Sequence, residues 1–360
     1  TFRKEKAMSS APATSQGQTS ARPQGPQPAE QLFQLAMGFM VTAALGCVAE
    51  LNIADKLKGG PQSVTKLAAE TGVKEEPLYR LLRALASVGV FSESVPRTFE
   101  LTPAAEPLCS DAKGTLRSMV RWFAARVHFE TYPEMMHSLK TGETVAEKVY
   151  NLNCFEYLEK EKATGDIFND AMTDFSAVVI PAALDAYDFS YLNGKTLVDI
   201  AGGHGKVLTE ILLKYPQVHG KLFDLEHVVN GAGPRIEALA LTSRCGTCSG
   251  DFFKEVPAGD AYIMKNIIHD WDDAKATTIL KNIHKASPAD ARVILLESVI
   301  VPGNDANLGK WIDLEMLLLP GGRERTEEEY RALFAGAGFR ITRFVPTKSP
   351  MSVIEAVKAS

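Results

Sequence analysis

The chain has 360 residues, 39 basic and 44 acidic side chains, a net charge of −5 and an apolar fraction of 45%. Those values fit a globular chain of one large or two ordinary domains and exclude a disordered, collagen-like or small disulfide-stapled one. The slight acidity argues against wholesale affinity for nucleic acid or an anionic membrane and leaves small-molecule chemistry as the leading class. Five scattered cysteines, Cys47, Cys109, Cys154, Cys245 and Cys248, read as reduced thiols of a cytoplasmic protein, and no signal-peptide pattern opens the chain.

Residues 1–7, ahead of Met8, are set aside as an upstream start. The Ser-, Pro-, Gln- and Gly-rich run that follows makes residues 1–29 a disordered tail, because it has too little apolar surface to fold. Gln31 to Ala49 carries no charge, but its glutamines, glycines and alanines make it a poor membrane span. It reads as a helix buried in protein or at a subunit interface. Within residues 30–115, LAAETG reads as a short helix stopped at Gly72, Leu78, Leu81, Leu82, Leu85 and Val88 fall at helical spacing, and FSESVPRTFELT reads as a hairpin. Together these make a winged helix, a unit that can bind DNA. Acidic and basic residues nearly balance between Glu50 and Glu106, however, and the second helix opens on Glu75 and Glu76, so the positive face of a duplex reader is missing.

Residues 116–185 read as a helical connector whose aromatic and methionine side chains fill a core or line a pocket. From 186 to 360 strands alternate with helices. KTLVDIAGG, GKLFDLEHV, GDAYIMKNIIH, ARVILLESVIV and FRITRFVPTKSPMSVIEAVK read as strands, with VLTEILLKYP, DDAKATTILKNIHKA and TEEEYRALFAGAG as helices between them. This predicts an α/β domain with a doubly wound, mainly parallel, Rossmann-like sheet. The short turn at Thr347–Pro350 makes the last strand antiparallel to its neighbour.

In LVDIAGGHGKV the glycines follow a strand and open a helix, where backbone approaches a ligand closely. A dinucleotide fingerprint is only nearly met, since Leu208 stands in place of its third glycine. Asp199, Asp224 and Asp251 instead end successive strands, with Phe252 beside the last. A carboxylate for a cationic amino acid, one for a ribose diol, one near an adenine amine and a phenyl face for stacking suit S-adenosylmethionine. Each aspartate taken singly reads equally well as a turn former or helix cap.

Taken in order, LVDIAGGHG, FDLEHV, GDFFKEVPAGDAYIMKNIIHDWDD, VILLESVIVP and PGGRERTEEEYRALFAGAGF resemble the S-adenosylmethionine-dependent O-methyltransferases, of the plant caffeate and flavonoid type and their bacterial secondary-metabolite relatives. The resemblance runs from about Gln31 to Lys358. It implies a winged-helix dimerisation domain, a homodimer, and a cofactor site of Asp199, Gly202, Gly203, Asp224, Leu225, Asp251, Phe252 and Lys265. It makes His269 a general base and Glu297 and Glu324 the carboxylates that flank and orient it. FNDAMTDFS is similar to an acceptor-lining helix, which suggests Met172, Phe175 and Ile180, with Trp271, Met316 and Leu319, as the walls for an aromatic substrate. Ala201 stands where the family usually has glycine, and Leu319 where plant members often carry asparagine, which suggests a less polar acceptor.

The chemistry suits these residue types. A phenol of pKa about 10 is almost wholly protonated at neutral pH, so a histidine within hydrogen-bond reach is the natural aid to its methylation, and a carboxylate on the other ring nitrogen fixes the tautomer. Asp270 and Asp272 read as helix caps, and His204 as a bystander near the cofactor. Cys245 and Cys248 form half of a zinc or redox spacing with no second half, so no metal is expected. Two other readings stand beside this one: a relative that hydroxylates or decarboxylates, and a ligand-responsive winged-helix regulator.

Overall fold

The computed structural model of the protein describes residues 27–359, so the expected tail lies, up to residue 26, outside the described residues. A helix begins already at Pro28, in the first turn where no amide hydrogen is needed. The uncharged stretch is two helices rather than one, Pro28–Ala36 and Gly38–Glu50, and Leu32, Phe33, Leu35 and Phe39 are exposed. Among the described residues, 27–41 form one unit and 42–359 the second.

The second unit opens with the predicted helix, helix and hairpin. Ser63 caps the helix Val64–Thr71 through the Lys66 N–H, and Gly72 ends it in the left-handed conformation. The helix Glu75–Ser87 then buries Leu78, Leu82 and Leu85. Strands β1 (Gln62–Ser63), β2 (Phe91–Val95) and β3 (Thr98–Leu101) form an antiparallel sheet in the order β1-β3-β2. Arg97, at the hairpin turn, is paired with Glu75 and Glu76 at 2.8 and 3.1 Å. One of the two charges at the start of the second helix is thus balanced within the unit.

Six helices connect this region to the sheet, ending in Lys162–Ala186. That helix is long and apolar enough to cross a membrane by length and composition, yet its Ala171, Val179, Ile180 and Ala183 are buried inside the protein.

The large sheet contains β4 (Thr196–Ile200), β5 (His219–Asp224), β6 (Cys245–Ser249), β7 (Ala261–Lys265) and β8 (Arg292–Glu297). Beyond β8, the two-residue strands β9 (Val299–Ile300) and β10 (Arg325–Thr326) pair with each other. Strands β11 (Phe339–Pro346) and β12 (Ser352–Lys358) complete the sheet, in the order β11-β12-β8-β7-β4-β5-β6. All pairs from β8 to β6 are parallel, and β12 runs antiparallel to both β8 and β11, as expected. Two strand readings shorten. The segment after Asp224 turns helical at Glu226–Val229, and the run after Glu297 breaks into β9. On β6, Cys245 and Cys248 are three residues apart and therefore face opposite sides of the strand, which removes the paired-thiol reading. The chain reverses its winding direction between β4 and β7, and a doubly wound sheet binds ligands outside the carboxyl ends of the strands at that point.

Candidate active site

Around that switch point the chain accepts strain. Ala201, directly after β4, has φ +53°, and Asn266, directly after β7, has φ +55°. A β-carbon in this region costs roughly 1 kcal/mol, and such outliers gather where a ligand must be met. Gly202 has no alternative, because a β-carbon there would lie 2.5 Å from both the Asp199 carboxyl carbon and Leu222 Cδ1. Gly203, at φ +58°, donates its N–H to Asp224 Oδ2 at 2.8 Å, and Leu225 N–H reaches Asp224 Oδ1 at 2.7 Å.

Asp199 is buried, and its Oδ2 has no hydrogen-bond partner. Burial pushes its carboxyl up to about 7. An orphaned carboxylate oxygen against a glycine loop is the provision expected for a cation, since leaving it unpaired costs about 1–3 kcal/mol. Lys265, at the end of β7, has its pKa lowered by burial, against the pull of Glu297, Asp199 and Asp270. Beyond β6, Asp251 accepts the Phe253 N–H at 2.9 Å. Phe252, Phe253 and Trp271 form an edge-to-face cluster with centroids 4.7 to 6.0 Å apart. The Trp271 indole N–H is buried and unpartnered. Asp224, Asp251, Phe252, Lys265 and the glycine loop thus follow the ends of adjacent strands, as expected.

His269 sits in a helical turn, Ile268–Asp270, just past β7. Its Nδ1 lies 2.7 Å from Glu324 Oε1 and 3.9 Å from Glu297 Oε2. The two glutamates differ in role. Glu297 Oε1 accepts the N–H groups of Ile267 and Ile268 at 3.0 and 2.9 Å, holding the backbone, while Glu324 holds the ring. Asp270 does not cap a helix. Its Oδ1 lies 3.4 Å from His269 Nε2, and the cap of Asp273–Ala286 is Asp272, which accepts the Lys275 N–H at 2.8 Å. Burial pulls the His269 pKa down, but Glu297, Glu324 and Asp270 together outweigh it and push the imidazole up to about 10. Burial likewise raises Glu297 to about 7 and Asp270 to about 6, against the pull of the imidazolium. The His269, Glu297 and Glu324 donor atoms lie within 4.8 Å of one another, so a cation could enter only by displacing the 2.7 Å His269–Glu324 contact.

Arg325 and Gly322, neither singled out from the sequence, hold this turn in place. Fully buried, Arg325 donates to the carbonyls of Ile268 and Trp271 at 3.1 and 2.9 Å and to Asp273 Oδ1 at 2.7 Å. Arg323 N–H meets the His269 carbonyl at 2.8 Å. Gly322 lies flat on the same backbone, where a β-carbon would come 2.0 Å from the His269 carbonyl oxygen. The signal was available in PGGRERT, as a glycine pair followed by an arginine.

The six expected acceptor residues do not form one group. Met172 and Leu319 join a buried cluster with Trp122, Phe168, Leu158 and Leu318. Ile180 belongs instead to the sheet core with Leu197, Leu208 and Leu212, which makes it a packing residue. Phe175 is half-buried and Met316 buried, while Trp271 stands between Phe253 and Phe155, their rings 4.9 and 6.2 Å from its own.

A family model described as an O-methyltransferase domain matches residues 132–340, and one described as an O-methyltransferase dimerisation domain matches residues 33–111. The chain belongs to the O-methyltransferase family. Phenazine O-methyltransferase PhzM of Lysobacter antibioticus is 40% identical over 326 residues, 90% of this chain and 95% of that one. The crystal structure of LaPhzM superposes with a TM-score of 0.84 at 39% identity, covering 92% of this chain and 100% of that chain. CalO1, a methyltransferase in calicheamicin biosynthesis solved with S-adenosylhomocysteine bound, gives 0.82 at 32% identity, covering 92% and 98%. This O-methyltransferase uses S-adenosylmethionine, and the buried orphan oxygen of Asp199 beside the glycine loop fits that cation.

Proposed function

We propose that this O-methyltransferase methylates a phenolic hydroxyl of a small aromatic metabolite, with His269 as general base. The observation that carries the reading is the buried His269 Nδ1 to Glu324 Oε1 contact of 2.7 Å, at the sheet edge where Asp199 presents its unpaired carboxylate. With Nδ1 engaged, Nε2 is the nitrogen left to receive a proton. S-adenosylmethionine, when bound, would supply a methyl on a sulfonium, a carbon–oxygen bond forming as a carbon–sulfur bond breaks, and His269 Nε2 would take the phenol proton. Burial pulls the imidazole pKa down, but Glu297, Glu324 and Asp270 outweigh it, so these carboxylates stabilise the imidazolium that forms. A cation bound beside His269 lowers its pKa and so raises the neutral, base-competent fraction.

Asp199 holds the amino group of the cofactor, Asp224 and Leu225 its ribose, and Asp251 and Phe252 its adenine. Lys265 closes the cleft, and Gly202 and Gly203 let backbone approach. Met172, Phe175, Trp271, Met316 and Leu319 contribute separately to the walls for the aromatic acceptor. The phenazine substrate of the Lysobacter relative supports a fused aromatic acceptor. The dimerisation domain supports a homodimer, and five free cysteines support a reducing, cytoplasmic setting. The test is a screen of hydroxylated aromatics with labelled cofactor, native protein beside His269→Ala. Both should bind cofactor, and only the native protein should transfer methyl; undiminished turnover in the variant would refute the base assignment.

A further inference from the structure

The aromatic cluster around Met172 and Leu319 contains a second imidazole–carboxylate pair that methyl transfer at His269 does not use. His128, on the helix Arg126–Thr131, places Nε2 2.8 Å from Glu315 Oε1, and the Tyr132 hydroxyl donates to Glu315 Oε2 at 2.6 Å. His128 and Glu315 are both more than nine-tenths buried. A carboxylate can only accept, so Nε2 carries the hydrogen, and in the neutral imidazole the other nitrogen, Nδ1, presents a lone pair. That Nδ1 is buried with no partner, beneath the rings of Trp122, Phe123 and Tyr132 at centroid distances of 4.7, 5.9 and 5.8 Å. A ligand hydroxyl would satisfy that acceptor.

The pair sits on the acceptor side. Glu315 lies one helical turn before Leu319, whose N–H bonds to the Glu315 carbonyl at 3.0 Å, so the two share a helix face. Cys154 lies within electrostatic reach of both Asp270 and Glu315, which add to the effect of burial in pushing its thiol up to about 12. The apolar Leu319 therefore does not make this wall apolar, because its polarity is carried one turn earlier.

We propose that His128 Nδ1, oriented by Glu315 and Tyr132, is a specificity site that accepts a hydrogen bond from a second hydroxyl on the aromatic acceptor, remote from the one methylated. This rests on the O-methyltransferase reading of His269, and its test separates the two. The probes are 1-naphthol, 1,5- and 2,7-dihydroxynaphthalene and a hydroxynaphthoic acid. Each is assayed for methyl transfer and, separately, titrated against the protein saturated with S-adenosylhomocysteine.

Native protein should favour at least one diol over 1-naphthol about tenfold or more in binding and in kcat/KM, a difference of roughly 1.4 kcal/mol. His128→Phe should bring that ratio close to one through KM while leaving 1-naphthol turnover within a few-fold. Glu315→Gln, which keeps the packing volume, should lower the ratio as well and stands in if His128→Phe does not fold. An unchanged ratio in variants that still bind cofactor would overturn the proposal, as would a preference of native protein for the naphthoic acid over both diols. Turnover that survives His269→Ala, with the diol preference intact in binding, would overturn the base assignment and leave the His128 site standing.

Discussion

Gly322→Ala isolates geometry from chemistry. Gly322 carries none of the functional groups, and its φ is not in the left-handed region, so alanine is compatible with its backbone. Its β-carbon, however, would fall 2.0 Å from the His269 carbonyl oxygen, 2.3 Å from the Asp270 carbonyl carbon and 2.6 Å from the Trp271 nitrogen. An unstrained carbon–oxygen contact is about 3.3 Å, so the His269–Trp271 backbone must retreat by about 1.3 Å or the PGG segment must lift away from it. A misplacement of about 1 Å costs on the order of 100-fold in rate, and overpacking costs about 1–3 kcal/mol of stability. We expect kcat to fall about 100-fold with the cofactor dissociation constant changed less than threefold. Single-turnover methyl transfer, calorimetric cofactor binding and thermal melts measure the three quantities. Gly233→Ala is the control, since nothing lies within 4 Å of its added β-carbon, and it should match native protein. Native kcat in a folded Gly322→Ala protein would refute the argument that this contact sets the position of His269.

Glu324→Gln should lower kcat by about 10²- to 10⁴-fold, because the amide no longer fixes the His269 tautomer or stabilises its cation; a loss under tenfold in single-turnover assays would count against that role. Ala201→Gly should stabilise the protein by about 0.5–1 kcal/mol by relieving the +53° φ, read by urea denaturation, and no gain would mean that the loop pays no strain. The Asp199 carboxyl, raised to about 7, can pair a cation only when ionised, so cofactor affinity should weaken as pH falls from 8 to 6. Asp199→Asn should bind weakly at every pH, and a native profile flat over that range would refute the pairing. Burial works against the Glu355 carboxylate, but Arg343, Thr342, Tyr187 and Arg292 hold it down at about 2. A depressed acid contributes stability above its unfolded pKa of about 4.5 that is lost as pH falls toward 2, so Glu355→Gln should destabilise at pH 7 and converge on native protein near pH 2. Parallel acid-unfolding curves would exclude this.

How much was legible followed from whether a residue's task is written in its neighbours along the chain. The sheet was, because strand runs, glycine loop and helices alternate, whereas the roles expected of His269, Glu297 and Glu324 came from the resemblance of their motifs to the O-methyltransferases. Asp270 read as a cap because Asp and Asn before a helix usually are, and only three dimensions show it turned toward His269 Nε2. Ile180 read as an acceptor wall because FNDAMTDFS resembles an acceptor-lining helix, yet eight residues beyond Met172 the same helix is packed on the sheet. His128 and Glu315 were not legible at all, since their pairing joins residues 187 apart in sequence.

The 25-residue helix Lys162–Ala186 carries Met172, in the acceptor wall proposed above, and Ile180 in the sheet core. A turn of the helix by one residue swings every side chain by about 100°, so rotation could not reshape the wall without expelling Ile180 and Ala183 into water. New acceptors must therefore be accommodated by exchanging side chains on a fixed rod. Divergence of substrate preference along this lineage is expected to proceed by point replacement between residues 165 and 175, with the axis of the helix unmoved.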